Sequence, residues 1–235
     1  MKYVISEKVF DVLPTACVGI VAIKGADNKQ SIPALRELMD ANIAVCETQF
    51  EDVKVKEAAD IVVYREAFRA LGMNPNKFMC SIEALLSRIA KKKGFPTINP
   101  LVDLGNAVSI KYHLPMGAHD LSSMKGDLEV RFAEEGDTFV AFGETETEVP
   151  EANELVYVSG HEVRTRRWTW RQSEVGKITE ETTDIFYPID GFTDFNKEEV
   201  LAARDELAAL VKKYFGCEPI VGFVDKENPE FEIKF

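Results

Sequence analysis

INPLVDLGNAVSIKYHLPMGAHDLSSMKGDLEVRF, residues 98–132, changes its hydrophobic period halfway along, and that change decides the fold class. The first half is helical. Asn99 is placed to cap it, and Pro100 opens it where a missing N–H costs nothing. Leu101, Leu104 and Val108 point inward, and Pro115 closes the segment. From Gly126 the period is two, so LEVRFA (128–133) reads as a strand.

Outward from this stretch the segregation persists. Upstream, VGIVAIKG (18–25) is a strand, and a helix follows over 32–43 with Ser31 as N-cap and Pro33 in its first turn. Residues 53–71 read as a second helix ending at Gly72. A third opens at Asn74–Pro75, with Ile82, Leu85, Leu86 and Ile89 on one face. Lys91 to Lys93 then either complement a negative helix C-terminus, with Gly94 as a left-handed exit, or form an RNA patch.

Downstream, TFVAF (138–142), ELVYVS (154–159), EVRTRRWTWRQ (162–172) and TDIFYPI (183–189) read as strands. The spacer EEGD suggests a hairpin between 128–133 and 138–142. Asn196 to Glu199 has capping-box spacing, with Phe195 and Val200 placed as a hydrophobic staple. Leu207, Leu210, Val211 and Tyr214 form the buried stripe of that last helix, Gly216 ends it, and PIVGFV (219–224) is a final strand. Runs of helices followed by runs of strands predict an α+β, layered architecture of mixed or antiparallel sheets and packed helices, with 1–235 as a single domain.

Composition narrows the function classes. No apolar run approaches the roughly 20 residues that span a bilayer, so no membrane partner is expected. The N-terminus MKYVISEKVFDVLP is broken by charges and lacks a signal-peptide core, which makes the cytoplasm the default compartment. Cys17, Cys46, Cys80 and Cys217 stand far apart, and His113, His119 and His161 show no paired-ligand spacing. Buried free thiols and no metal site are the expectation. There is no GxGxxG, P-loop, GxSxG or HExxH motif, so no cofactor is implied. A formal charge of −12 argues against broad phosphate affinity and against a DNA partner, and confines any RNA contact to one face.

FRALGMNPNKF (68–78), the stretch around NPLVDLGN (99–106) and HDLSSMKGD (119–127), and TEETTDIFYPIDGF (179–192) follow one another in a familiar order. Together they resemble the B3/B4 domain of the bacterial phenylalanyl-tRNA synthetase β subunit, and resemble free-standing proteins built on that domain more closely still. The resemblance covers roughly 60–195, with 1–59 and 196–235 completing the fold. It implies an editing site that hydrolyses tyrosine wrongly esterified to the phenylalanine tRNA. A second sieve of this kind serves where one binding event cannot reject a hydroxyl difference. Because the aminoacyl ester is already activated, a positioned water and a few donors suffice.

The resemblance also implies site positions. Asn106 falls on a site-lining asparagine of the family, while the preceding threonine is Gly105. The histidine just after the Pro-x pair falls on Gly117, with His119 two residues further on. The glutamate that recognises the tyrosine hydroxyl falls on Pro188, so the tyrosine-specific contact is missing. WTWRQ (168–172) covers a small, glycine-rich segment that lines the family's pocket.

RTRRWTWRQ (164–172) holds four arginines and both tryptophans of this acidic chain. As one strand it would put Arg164, Arg166, Trp168, Trp170 and Gln172 on one face, with Thr165, Arg167, Thr169 and Arg171 on the other. That face could stack on a base or a terminal adenosine, or Arg167 or Arg171 could grip a carboxylate or phosphate. Alternatively, the rings are core and the arginines pair with internal acids. His119 and Asp120 read as a general-base dyad, or Asp120 caps the following turn. Asp103 and Asn106, three apart on a helix, either line a pocket or bond a loop. The expected function is editing-type hydrolysis, in trans, of an aminoacyl-tRNA acceptor end or a small aminoacyl ester. A chain too short for the other synthetase domains excludes a complete synthetase subunit. A second expectation, of a different class, is a non-catalytic module that binds an amino acid, a nucleotide or an RNA end.

Overall fold

A computed structural model describes residues 1–235. In chain order it contains β1 (Lys2–Ile5), α1 (Glu7–Val12), β2 (Ala16–Ile23), α2 (Pro33–Gln49), α3 (Ala59–Ala70), α4 (Ser81–Ala90) and α5 (Pro100–Tyr112). Then follow β3 (His119–Asp120), β4 (Leu128–Phe132), β5 (Phe139–Val140), β6 (Thr147–Glu148), β7 (Leu155–Ser159), β8 (Glu162–Arg166) and β9 (Arg171–Gln172). The chain ends with β10 (Ile185–Phe192), α6 (Lys197–Phe215), β11 (Ile220–Val224) and β12 (Glu230–Glu232). This is an α+β architecture, and no helix is long and apolar enough to cross a membrane.

Two sheets organise it. An antiparallel four-stranded sheet has the order β11-β2-β10-β3, and a mixed six-stranded sheet the order β12-β1-β4-β7-β8-β9, in which β1 and β4 run parallel. Every residue of β2 and β10 is buried, which explains their continuous apolar runs. Helix α6 packs on them through Val200. A Cβ at Gly191 would come within 2.4 Å of Val200 Cγ2, so only glycine admits the helix at this distance. α5 forms as the sequence suggests: Asn99 Oδ1 accepts from Val102 N at 3.1 Å, and Pro100 follows. It ends at His113, whose φ of +53° is left-handed, before Pro115 is reached.

Several local expectations are corrected. Ile32 rather than Ser31 holds the N-cap of α2, which continues to Gln49. α4 begins at Ser81, because Asn74 turns its Oδ1 onto Asn76 N in a local turn instead of capping a helix. Lys91 to Lys93 lie beyond the helix end, and Arg88 bonds the carbonyls of Lys93 and Gly94. The 128–142 hairpin does not form: β4 pairs with β1 and β7, and β5 pairs with β6. Arg131 grips Asp137 through both Nη atoms at 2.7 and 2.9 Å, folding the EEGD segment into a turn. Asn196 forms no capping box; it accepts from Phe192 N and donates to the Tyr64 hydroxyl, and Phe195 is exposed.

Candidate functional site

The stretch 162–172 is not one strand. β8 stops at Arg166, and Arg167 and Trp168 take left-handed φ values of +47° and +58° before β9 resumes. Non-glycine residues hold this conformation only where surroundings enforce it. Here Glu154 enforces it. Its Oε1 accepts from Arg166 Nε at 2.8 Å and from Arg167 N at 3.1 Å, and its Oε2 from Arg166 Nη2 at 2.8 Å. The amide of Trp168 donates to Leu155 O at 2.6 Å.

This turn overturns the alternation expected for the arginines and tryptophans. Arg164 is wholly buried and bonds Ser123 Oγ and O at 2.9 and 2.7 Å. Arg166 pairs with Glu154 and Glu148, and Arg167 with Glu151 and Glu154 while lying 4.0 Å over the Phe78 ring. Arg166 and Arg167 are therefore spent on acids of the chain, and Arg164 on Ser123, with Glu162 3.3 Å away. Arg171 makes no ion pair and sits 5.9 Å from the Trp170 ring.

The turn swings Trp168 inward. Its Nε1 donates to Asp190 Oδ1 at 2.7 Å, and the Tyr157 hydroxyl donates to the same oxygen at 2.7 Å. Asp190 Oδ2 accepts no hydrogen bond from the protein. The carboxyl borders a cavity of about 140 Å³ whose wall also includes Gly117, His119, Trp168, Trp170 and Gln172. Burial pushes Asp190 up to about 7, although the bonds from Tyr157 and Trp168 favour its charged form. Burial, assisted by Arg164, pushes His119 down to about 3, so the imidazole is neutral at ordinary pH. It stacks on Tyr157 with centroids 5.6 Å apart. His119 Nδ1 and Thr169 Oγ1, both on residues of this wall, have no partner.

A second cavity of about 140 Å³ adjoins the first through Met116, Gly117 and Gln172, and its wall carries Asn106, Phe142 and Lys177. His119, Trp168, Trp170 and Gln172 thus share one chamber, and Asn106 stands in the next. Asp120 borders neither. Its Oδ1 accepts from Ser122 N and Oγ, and its Oδ2 from Thr182 Oγ1, so the dyad expected with His119 is not formed. Asp103 accepts from Ile98 N at 2.9 Å and faces a separate cleft. Arg167 is closed off by its acids.

Two of the positions at which this sequence departs from the pattern it resembles, Gly117 and Pro188, are in contact. Gly117 N donates to Pro188 O at 3.0 Å, and a Cβ at Gly117 would lie 3.1 Å from Pro188 Cγ and 3.2 Å from His119 Nε2. Imidazole and carboxyl both recur two residues further on, at His119 and Asp190. Asp190 was missed in the sequence. Its signal was there: along β10, alternation puts 188 and 190 on one face.

The shifted groups make stability pH-dependent. Folding raises the Asp190 pKa, so the native state holds this proton more tightly than the unfolded chain. The resulting stabilisation is complete below the ordinary value of 3.8 and is lost as pH rises through about 7. Asp190→Asn is expected to gain stability relative to wild type from pH 4 to 7, read from denaturation midpoints at each pH. His119 acts oppositely: the stability of keeping it neutral is present above 6.5 and lost as pH falls toward 3.

Comparison with curated proteins returned no match. Among solved structures, the chain is similar to an N-terminal fragment of the phenylalanyl-tRNA synthetase β subunit from Pyrococcus horikoshii, at 12% identity and a TM-score of 0.50. The match covers 92% of this chain and 49% of that one, so the chain spans about half that fragment's length. The model of the B3/4 domain matches residues 63–216, from within α3 to the end of α6. That span takes in α5, both cavities and the Trp168 turn, and the chain belongs to the B3/4 domain family.

Proposed function

We propose that this chain is an editing-type aminoacyl-ester hydrolase, acting in trans on an aminoacyl-tRNA acceptor end or a small aminoacyl ester. The observation that carries the reading is Asp190: a buried carboxyl, poised near neutral pH, with one oxygen free beside a small chamber. A base of that pKa is matched to taking a proton from water at physiological pH. The water oxygen bonds to the ester carbonyl carbon, its proton passes to Asp190, and the carbon–oxygen bond to the leaving hydroxyl breaks as that oxygen regains a proton. Neutral His119 and the Gln172 amide orient the acyl group, and Asn106 holds the adjoining part of the ester. Trp170 borders the chamber; unpaired Arg171 lines neither chamber but lies 5.9 Å from the Trp170 ring, outside the wall, where a base or phosphate would rest. The net charge of −12 keeps any tRNA contact local and weak.

Deacylation assays over a panel of mischarged tRNAs and aminoacyl esters test this. At least one member is expected to be hydrolysed, with Asp190→Asn slower by about a hundredfold. Failure to hydrolyse any member above its spontaneous rate would overturn it. The pairing of Gly117 with Pro188, where the family pattern has a histidine and a glutamate, favours a second reading: a non-catalytic module for an amino acid, a nucleotide or an RNA end. Thermal stabilisation by amino acids, nucleotides or adenosine esters, lost in Arg171→Ala and without turnover, would establish that reading instead.

A further inference from the structure

A roomier concavity shares only Ile98 with the second chamber and no residue with the first. It is a cleft of about 440 Å³ between the N-terminal ends of α2 and α5, floored by buried Leu35 and Met39. Its charged lining is Lys29, Arg36, Asp103 and Glu180. Both cations are already engaged. Arg36 bonds Asp40 at 2.6 and 3.0 Å and Thr97 Oγ1 at 2.9 Å, and Lys29 bonds Glu181 at 2.6 Å. The carboxylates are not engaged in this way. Glu180 has no ion pair, and Asp103, only 8% exposed, uses Oδ1 for Ile98 N while Oδ2 has no partner in the protein.

Helix N-termini normally favour anions, but here the first donors of α5 are taken and the first residue of α2 has none. Leu101 N donates to Asn28 Oδ1 and Val102 N to Asn99 Oδ1, and α2 opens with Pro33, which has no N–H. A bound molecule therefore meets two carboxylates that lack direct ion pairs, Asp103 in the field of Arg36 and Glu180 in that of Lys29, together with an apolar floor and no cation free of a partner. A shallower recess sharing Asn28, Lys29 and Glu180 adds Asp27 and Glu181, extending the negative field outward. No group of three or more metal-binding side chains converges here, and the space far exceeds that of a bare ion.

We infer that this cleft binds a small organic cation, a primary ammonium on an apolar body, with Asp103 receiving the ammonium and Leu35 and Met39 the apolar part. A buried, half-bonded carboxylate gains a charge-assisted bond from such a group, and the body covers apolar surface. This inference is independent of the hydrolysis proposed above.

Calorimetric titration with phenethylamine, 2-phenylethanol and 3-phenylpropanoate tests it. The amine is expected to bind saturably, the alcohol about tenfold more weakly, and the carboxylate more weakly still. Asp103→Asn keeps an oxygen for Ile98 N and is expected to weaken amine binding about tenfold, whereas Gln172→Ala leaves it unchanged. Glu180→Gln, a surface change without consequence for folding, weakens it by about threefold and decides the matter if Asp103→Asn does not fold. No saturable binding of the amine, equal binding of the alcohol, or undiminished binding in both cleft variants would overturn the inference.

Discussion

Replacing Trp168 with alanine lowers the free energy of unfolding by about 3–5 kcal/mol. The indole is 3% exposed and packs against Tyr64, Phe68 and Phe192 at centroid distances of 6.1, 6.0 and 5.9 Å. Truncation removes that contact and leaves a hole that a strained left-handed turn cannot easily close. It also strips a hydrogen bond from Asp190. Trp168→Phe separates the two effects, keeping most of the apolar volume while losing the Nε1 donor, and is expected to cost about 1–3 kcal/mol. Denaturant midpoints at constant slope measure both. A loss below about 1 kcal/mol in the alanine variant would contradict the placement of the ring in the core.

Glu154→Ala is expected to cost a similar amount, about 3–5 kcal/mol, because it leaves buried guanidinium groups without their shared acid. Arg166 and Arg167 are 6% and 5% exposed, so water cannot readily take over for the missing carboxylate. The variant also frees the Arg167 amide, and with it the constraint that holds Arg167 and Trp168 left-handed. Two readouts should move together: the denaturation midpoint falls, and tryptophan emission shifts to the red as Trp168 gains solvent. A stable variant with unshifted emission would show that the turn is held by something other than Glu154.

Much of the scaffold was legible because local signals agreed with global packing. Asn99–Pro100 started α5 as expected, and the two-residue period beyond Gly126 announced the sheet strands. Where the reading failed, a side chain preferred a partner far away in sequence. Asn74 and Asn196 look like helix caps, yet one closes a local turn and the other reaches Tyr64. The two-residue period of RTRRWTWRQ is unbroken on paper. It is broken in space by Glu154, twelve residues before Arg166, and nothing within the stretch itself reveals that.

The candidate site shows the same division. His119, Trp168, Trp170, Gln172 and Asn106 were named from the sequence, and they border two adjoining chambers. Asp120 reads as the partner of His119 only because it stands next to it in sequence, whereas the chamber is built across strands and brings Asp190 to it. The Asp120 carboxylate turns instead toward Ser122 and toward Thr182 from a distant segment. Asp190 faces the chamber because β10 alternates, and its unusual proton affinity comes from burial that only the packed sheet creates.

That proton affinity is the point on which the proposed chemistry turns, and it can be measured without knowing the substrate. Carbon-13 NMR of the Asp190 carboxyl, assigned by its loss in Asp190→Asn, is followed from pH 3 to 9. The expected midpoint is about 7, rising in Trp168→Phe as a bond to the charged form is lost. A midpoint near 4, the ordinary value for an aspartate, would contradict the assignment of Asp190 as the poised base of this chamber.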